Sequence, residues 1–330
     1  MAAGKGLRFS DRWIWDFWIV RAGEDFHIFY LQAPRSIGDP DLRHWNASIG
    51  HAMSTDLENW VILPDALAPG PTGAWDDYTT WTGSIVNHDG RWHLLYTGTS
   101  RAEDGRIQRI GLATSDDLTS WTRHDENPLI EADPRWYETL NLDVWPHQAW
   151  RDPWVFRDHA ENGFHAYVTA RARSGDPRAR GVIGHARSTD LVSWEILPPA
   201  TEPMGFGEME VPQLIRLNDR FYMLFSSELS THAPCRRTTG TGTGTYYLTA
   251  DSPQGPFAMT GLRVLEADQI GSNYAGKLVD EDGELWFLAW ERAAADGSFI
   301  GEIGSPRRVL IEPNGTLSLK PATETPRGRS

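Results

Sequence analysis

The stretch WIWDFWIV, residues 13–20, sets one carboxylate, Asp16, among three tryptophans, a phenylalanine and three β-branched residues. Aromatic and β-branched residues favour strands. A charge buried in such a strand is costly unless it is paired or hydrogen-bonded. Two more acids stand in comparable places, Asp152 in WRDPWVF (150–156) and Glu210 in EMEVPQLI (208–215). Carboxylates brought together among aromatics repel one another, and at least one should keep its proton to unusually high pH. A protonated carboxyl beside an ionised one can act as acid while its neighbour acts as base or nucleophile. Three acids also suit a structural ion pair, with Arg151 as the cation, or a Ca²⁺ cage completed by carbonyls. No His or Cys spacing of a zinc site is present.

Strands must bring these acids together, and a repeat shows how. A polar turn followed by an alternating aromatic strand occurs as GEDFHIFYLQ (23–32), DGRWHLLYTG (89–98), ENGFHAYVTA (161–170), NDRFYMLFSS (218–227) and EDGELWFLAW (281–290). After the first three copies comes a second motif: IGHAMSTDLENW (49–60), IGLATSDDLTSW (110–121) and IGHARSTDLVSW (183–194). Its core, Ser-x-Asp-Leu-x-x-Trp, suits a tight turn held by side-chain-to-backbone hydrogen bonds. A further strand precedes each aromatic one, so each unit holds about four strands. Counted from the aromatic strand, units begin near 26, 91, 163, 220 and 284. Helical periodicity is scarce. The reading is an all-β, five-bladed β-propeller over residues 1–320, one catalytic domain with a central axial active-site pocket, and a loose polar tail over 321–330. A β-sandwich with accidental repeats is the competing fold.

In a propeller the first strand of each blade lines the central channel. Asp16, Asp152 and Glu210 open those strands in units one, three and four. Unit two has Trp81-Thr82-Gly83-Ser84 there, and unit five has Asn273-Tyr274. The three acids are therefore expected at equivalent places, converging on the axis. A paired acid and nucleophile is what glycoside hydrolysis requires. The 16 tryptophans fit sugar stacking or the packing of a large all-β core equally well. With a formal net charge of −14, nucleic acid and anionic membranes are not expected partners. Cys235 is the sole cysteine, so no intrachain disulfide forms. No apolar run reaches the ~18 residues of a membrane span, and the first residues lack the apolar stretch of a signal peptide. The compartment stays open between a cytoplasmic protein and a mature secreted form, and the oligomeric state stays open. No cofactor and no metal are expected.

These blocks, WD (15–16), WTGS (81–84), WRDP (150–153) and EMEVP (208–212), resemble the signatures of the five-bladed propeller glycosidases acting on fructosides, families 32 and 68. The resemblance covers roughly residues 11–320. It implies Asp16 as nucleophile, Asp152 as transition-state stabiliser and Glu210 as general acid/base. It further implies sugar contacts from Trp15, Trp81, Thr82, Ser84, Arg151, Glu208 and Tyr274, with a small carbohydrate as substrate. Trp-Asp-Phe-Trp and the Glu208/Glu210 pair look closer to family 68, while Val211 stands where that family has Arg. The chain has no room for the C-terminal β-sandwich of family 32, so it looks like a compact, divergent relative. The implied activity is a retaining β-fructofuranosidase or fructosyltransferase. One alternative is an inverting arabinofuranosidase or arabinanase of the related propeller clan. Another is a sugar-binding propeller without catalysis.

Other residues carry weaker expectations. Trp18 reads as core as readily as sugar platform. His147 reads as a hydrogen-bonded structural histidine, with a place on the axis or a bond to a substrate hydroxyl as the alternative. Glu228 and Arg236–Arg237 form an acceptor rim or a solvated loop. GTGTG (240–244) leads into a strand pattern rather than a helix, which excludes a phosphate loop.

Overall fold

The computed structural model describes residues 6–237 and 242–320. The expected tail over 321–330 lies outside the described residues. Five antiparallel sheets follow one another along the chain. The first holds β1 (Arg12–Ala22), β2 (Asp25–Pro34), β3 (Ser48–Ser54) and β4 (Val61–Leu67). The second holds β5 (Thr79–His88), β6 (Arg91–Thr99), β7 (Arg109–Ser115) and β8 (Thr122–Arg123). β9 (Trp150–Asp158), β10 (Gly163–Arg171), β11 (Gly181–Ser188) and β12 (Trp194–Leu197) make the third. β13 (Glu210–Leu217), β14 (Arg220–Ser227), β15 (Thr243–Ala250) and β16 (Arg263–Asp268) make the fourth. The fifth has β17 (Asn273–Glu281), β18 (Glu284–Ala293), β19 (Phe299–Ile303), β20 (Arg307–Ile311) and β21 (Leu317–Leu319), with both β19 and β20 paired to β18.

This is the expected five-bladed propeller and not a sandwich. The aromatic repeats are the second strands of the blades, beginning at 25, 91, 163, 220 and 284. The first strands touch in a ring, β1 to β5 to β9 to β13 to β17 and back to β1. The ring is closed near the chain start, where Leu7 and Ile303 exchange backbone hydrogen bonds of 2.9 and 3.0 Å.

The Ser-x-Asp-Leu-x-x-Trp motif turns the third strand into the fourth. Asp56, Asp117 and Asp190 each accept backbone N–H bonds from residues two and three positions on, at 2.7–2.9 Å. The following leucines, Leu57, Leu118 and Leu191, adopt left-handed backbone angles (φ 60, 63 and 66°). That conformation costs a leucine about 1–2 kcal/mol. Each of the three is at most 2% exposed, and burying a leucine returns about 1.5–3 kcal/mol, so burial decides the turn.

Candidate active site

Each first strand carries a bulge at the same height. In β1, Trp15 pairs with Leu31 and Phe17 with Tyr30, so Asp16 is skipped. Equivalent slips leave Thr82 in β5, Asp152 in β9, Val211 in β13 and Ala275 in β17 out of register. A bulge bends its strand and re-aims the side chains on it. Asp16, Asp152, Val211 and Ala275 all have positive φ (33, 58, 46 and 51°). The alignment corrects one expectation. Asp16 and Asp152 are equivalent, but Glu210 sits one residue before its bulge, in the position of Trp15, Trp81, Arg151 and Tyr274. The longer glutamate side chain enters the axis from that earlier position.

A cavity of about 840 Å³ opens on the axis, with walls from all five first strands. Asp16, Asp152 and Glu210 all line it, together with Trp15, Trp81, Thr82, Arg151, Glu208 and Tyr274. Ser84 does not. Its Oγ accepts the backbone N–H of Val155 at 2.8 Å, so it ties the second blade to the third. Trp18 is core, stacked on Phe29.

Asp16 Oδ1 accepts the indole N–H of Trp290 at 3.0 Å. Its Oδ2 has no hydrogen-bond partner among the described residues. Burial, and then the charge of Asp152, raise the Asp16 carboxyl to about 7 against the opposing pull of Arg43 and Lys277. Asp152 is firmly held. Its Oδ2 accepts from Thr169 Oγ1 at 2.7 Å and from the Val211 N–H at 3.3 Å, and Arg151 Nε lies 3.4 Å away.

Glu210 accepts from Arg151 Nη2 through Oε1 at 2.5 Å and from the Tyr274 hydroxyl through Oε2. Burial raises its carboxyl to about 8. Arg151 and the Tyr274 bond oppose that rise, while the charges of Glu208 and Glu228 reinforce it. Glu208 goes the opposite way. Burial disfavours its charge, but Arg151 and His147 outweigh that and hold it well below the usual carboxylate range. It accepts from Arg151 at 2.9 and 3.2 Å, from His147 Nε2 at 2.7 Å and from Trp145 Nε1 at 3.3 Å. Glu208 is thus engaged in holding Arg151. His147 is hydrogen-bonded as expected and also lies on the cavity wall.

Several wall residues escaped the sequence reading. Arg43, His44 and Trp45 come from a 3₁₀ turn over Pro40–Asn46. The His44 carbonyl accepts Trp81 Nε1 at 2.8 Å, and Trp45 stacks on Tyr78 with ring centres 5.2 Å apart. Gln108 receives Arg151 Nη1 at 3.2 Å. Trp290 closes the fifth aromatic repeat, EDGELWFLAW (281–290), and its place in that repeat was the available signal. Glu228 is on the rim, paired with Arg292 at 3.1 Å, whereas Arg236 lies over Phe206 and Arg237 bonds the His232 carbonyl. GTGTG falls partly outside the described residues, and Thr243 onward is strand. Among the described residues, Asp158, Glu161 and His165 are grouped closely enough for a metal ion. That group is away from the cavity wall, and Asp158 and His165 are hydrogen-bonded to Gln254 and His185. The axial acids form no such group.

The family model "Glycosyl hydrolases family 32 N-terminal domain" matches residues 18–320. The chain is 34% identical over 136 residues to a 6(G)-fructosyltransferase of Asparagus officinalis, covering 35% of this chain and 21% of that protein. It is 26% identical over 291 residues to an insoluble β-fructofuranosidase isoenzyme of Arabidopsis thaliana, covering 86% of this chain and 42% of that one. The chain thus matches less than half the length of these curated relatives. The structure of an inulosucrase from Halalkalicoccus jeotgali bound to kestose superposes with a TM-score of 0.74 at 21% identity, over 97% of this chain and 92% of that one. This likeness shows the shared fold. The matching family model is that of family 32, where the sequence blocks were expected to lie closer to family 68.

Proposed function

The chain belongs to glycosyl hydrolases family 32, and on that premise we propose that it is a retaining glycosidase or glycosyltransferase acting on β-fructofuranosides. The propeller of residues 1–320 is proposed as the catalytic unit. One observation carries the reading: a single axial cavity holds Asp16 with one uncommitted oxygen and Glu210 with its proton retained to about 8.

The chemistry follows from those states. Asp16 Oδ2 attacks the anomeric carbon of the fructosyl unit while Glu210 gives its proton to the departing glycosidic oxygen. The bond to the leaving group breaks as the Asp16 ester forms. Glu210, now ionised, takes a proton from water or from an acceptor sugar hydroxyl. That oxygen attacks the same carbon and releases Asp16, and two inversions give retention. Asp152 binds ring hydroxyls, and its hold strengthens as positive charge develops on the sugar. Arg151 and Tyr274 orient Glu210. Trp81, Trp15 and Thr82 form the sugar wall. Glu208 acts through Arg151.

The test is a proton NMR time course with sucrose, a fructooligosaccharide and an aryl arabinofuranoside. Fructose released or transferred with retained configuration is the expected result, and the ratio of free fructose to oligosaccharide separates hydrolysis from transfer. Turnover of the arabinoside alone, with inversion, would overturn the reading. Calorimetric binding without turnover of any glycoside would overturn it in favour of a sugar-binding propeller.

A further inference from the structure

A buried charge lies near the axial acids. Lys277 belongs to β17, two residues past that strand's bulge, and is 3% exposed. A lysine is rarely buried so completely unless its ammonium is paired. Its Nζ reaches the neighbouring first strand, β13, where it donates to the carbonyl of Val211 at 2.5 Å and to that of Pro212 at 3.3 Å. It also lies 5.7 Å from the centre of the Trp154 ring. A second cavity of about 210 Å³, with Ile19, Trp154, Gln213 and Leu278 in its walls, has Lys277 on its lining. Lys277 therefore stands between this lower chamber and the acid-lined cavity. Its ammonium interacts with Asp152 and Asp16, the former more strongly.

We propose that Lys277 is a positioning residue of the fructoside reaction: its ammonium pins the bulge beside Glu210 and supplies the positive charge beneath Asp16 and Asp152. Val211 is the bulged residue next to Glu210, so a strap on its carbonyl fixes the angle at which Glu210 enters the cavity. Asp16 and Asp152 repel each other, and both must be anionic for attack and for stabilising a cationic sugar. Arg43 is the other cation acting on Asp16, from the rim side, and Trp290 donates to it. Arg21 and Asp280 also line the lower chamber. Burial lowers Lys277 to about 8, which leaves it charged at neutral pH. The inference rests on the fructoside reading for the reaction it serves, but not for the charge it supplies.

The test compares K277M with K277R in protein labelled with ¹³C at the aspartate carboxyls, the Asp16 signal being identified from D16N. K277M removes the charge, and K277R keeps it. In K277M the Asp16 titration is expected to move up by about one unit, with kcat/KM for sucrose falling about tenfold on the acidic side of its profile. K277R should restore most of both. Should K277M lack a cooperative melt, K277Q is titrated in its place. Equal losses in K277M and K277R at every pH, with the Asp16 titration unmoved, would reduce Lys277 to packing and overturn the proposal. Wild-type titration and activity in the neutral variants would overturn it too. If the wild type leaves fructosides untouched, the fructoside reading falls, while the carboxyl titration still reports on Lys277.

Discussion

Replacing Glu208 by Gln should cost Glu210 its proton near neutral pH without touching Glu210 itself. Glu208 acts on Glu210 in two ways. Its charge helps keep the Glu210 proton in place, and its bonds of 2.9 and 3.2 Å make Arg151 a partner shared with Glu210. In E208Q the repulsion disappears and Arg151 turns more fully to Glu210. Both effects favour the Glu210 anion. A neighbouring charge changes a carboxyl by about 1–3 units, so a drop of about two units, from about 8 toward 6, is the expected size. In the proposed mechanism the active form has Asp16, raised to about 7, ionised and Glu210 protonated. With the acid above the base, roughly half of the enzyme is active at the optimum. Once the two cross, the active fraction falls about tenfold. The assay is kcat/KM for sucrose from pH 5 to 10, after a melt has shown that E208Q is folded. The basic limb should move to lower pH and the maximum should fall. A folded E208Q whose basic limb stays at the wild-type position would refute the reasoning. Arg151 keeps Glu210 and Asp152 as partners, so the variant is not left with a lone buried cation.

Two further outcomes follow. D16N should lose turnover by at least about 10⁴-fold while keeping its melting temperature and its sugar binding by calorimetry; normal turnover would remove Asp16 from the nucleophile role. Acid should destabilise the fold through its paired histidines. His51 and His185, each bonded to another histidine, are lowered to about 3, chiefly by burial. Their stabilising effect is complete above the ordinary histidine value near 6.5. It is lost as pH falls from there toward 3, at up to about 1.4 kcal/mol per pH unit for each group. H185Q should flatten the pH dependence of denaturant midpoints between pH 6 and 4, and an unchanged slope would exclude His185 as a source.

Much of the site was legible because strand patterns are local. WDFW, RDPW and EMEVP show acids at the openings of strands, and the aromatic repeats show that those strands occupy matching places. Ser84 was misleading for the same reason. It shares the WTGS block with Trp81 and Thr82, but it lies beyond the bulge and bonds the next blade. The one-residue offset of Glu210 was hidden because a bulge is defined by pairing with the second strand, and spacing along the first strand does not reveal it.

By itself the sequence determined the five blades, the Ser-x-Asp-Leu-x-x-Trp turns and the three acids of the axis. Each follows from residue types acting over a few positions: alternation, turn chemistry, and the cost of a charge among aromatics. Tertiary structure alone decided the protonation of Asp16 and Glu210. Asp16 takes its hydrogen bond from Trp290, 274 positions away. Glu210 balances Arg151 and Tyr274 against burial, and Lys277 reaches Val211 across 66 positions. Proton affinity depends on burial and on charges a few ångströms distant. Those distances exist only once the ring of blades has closed.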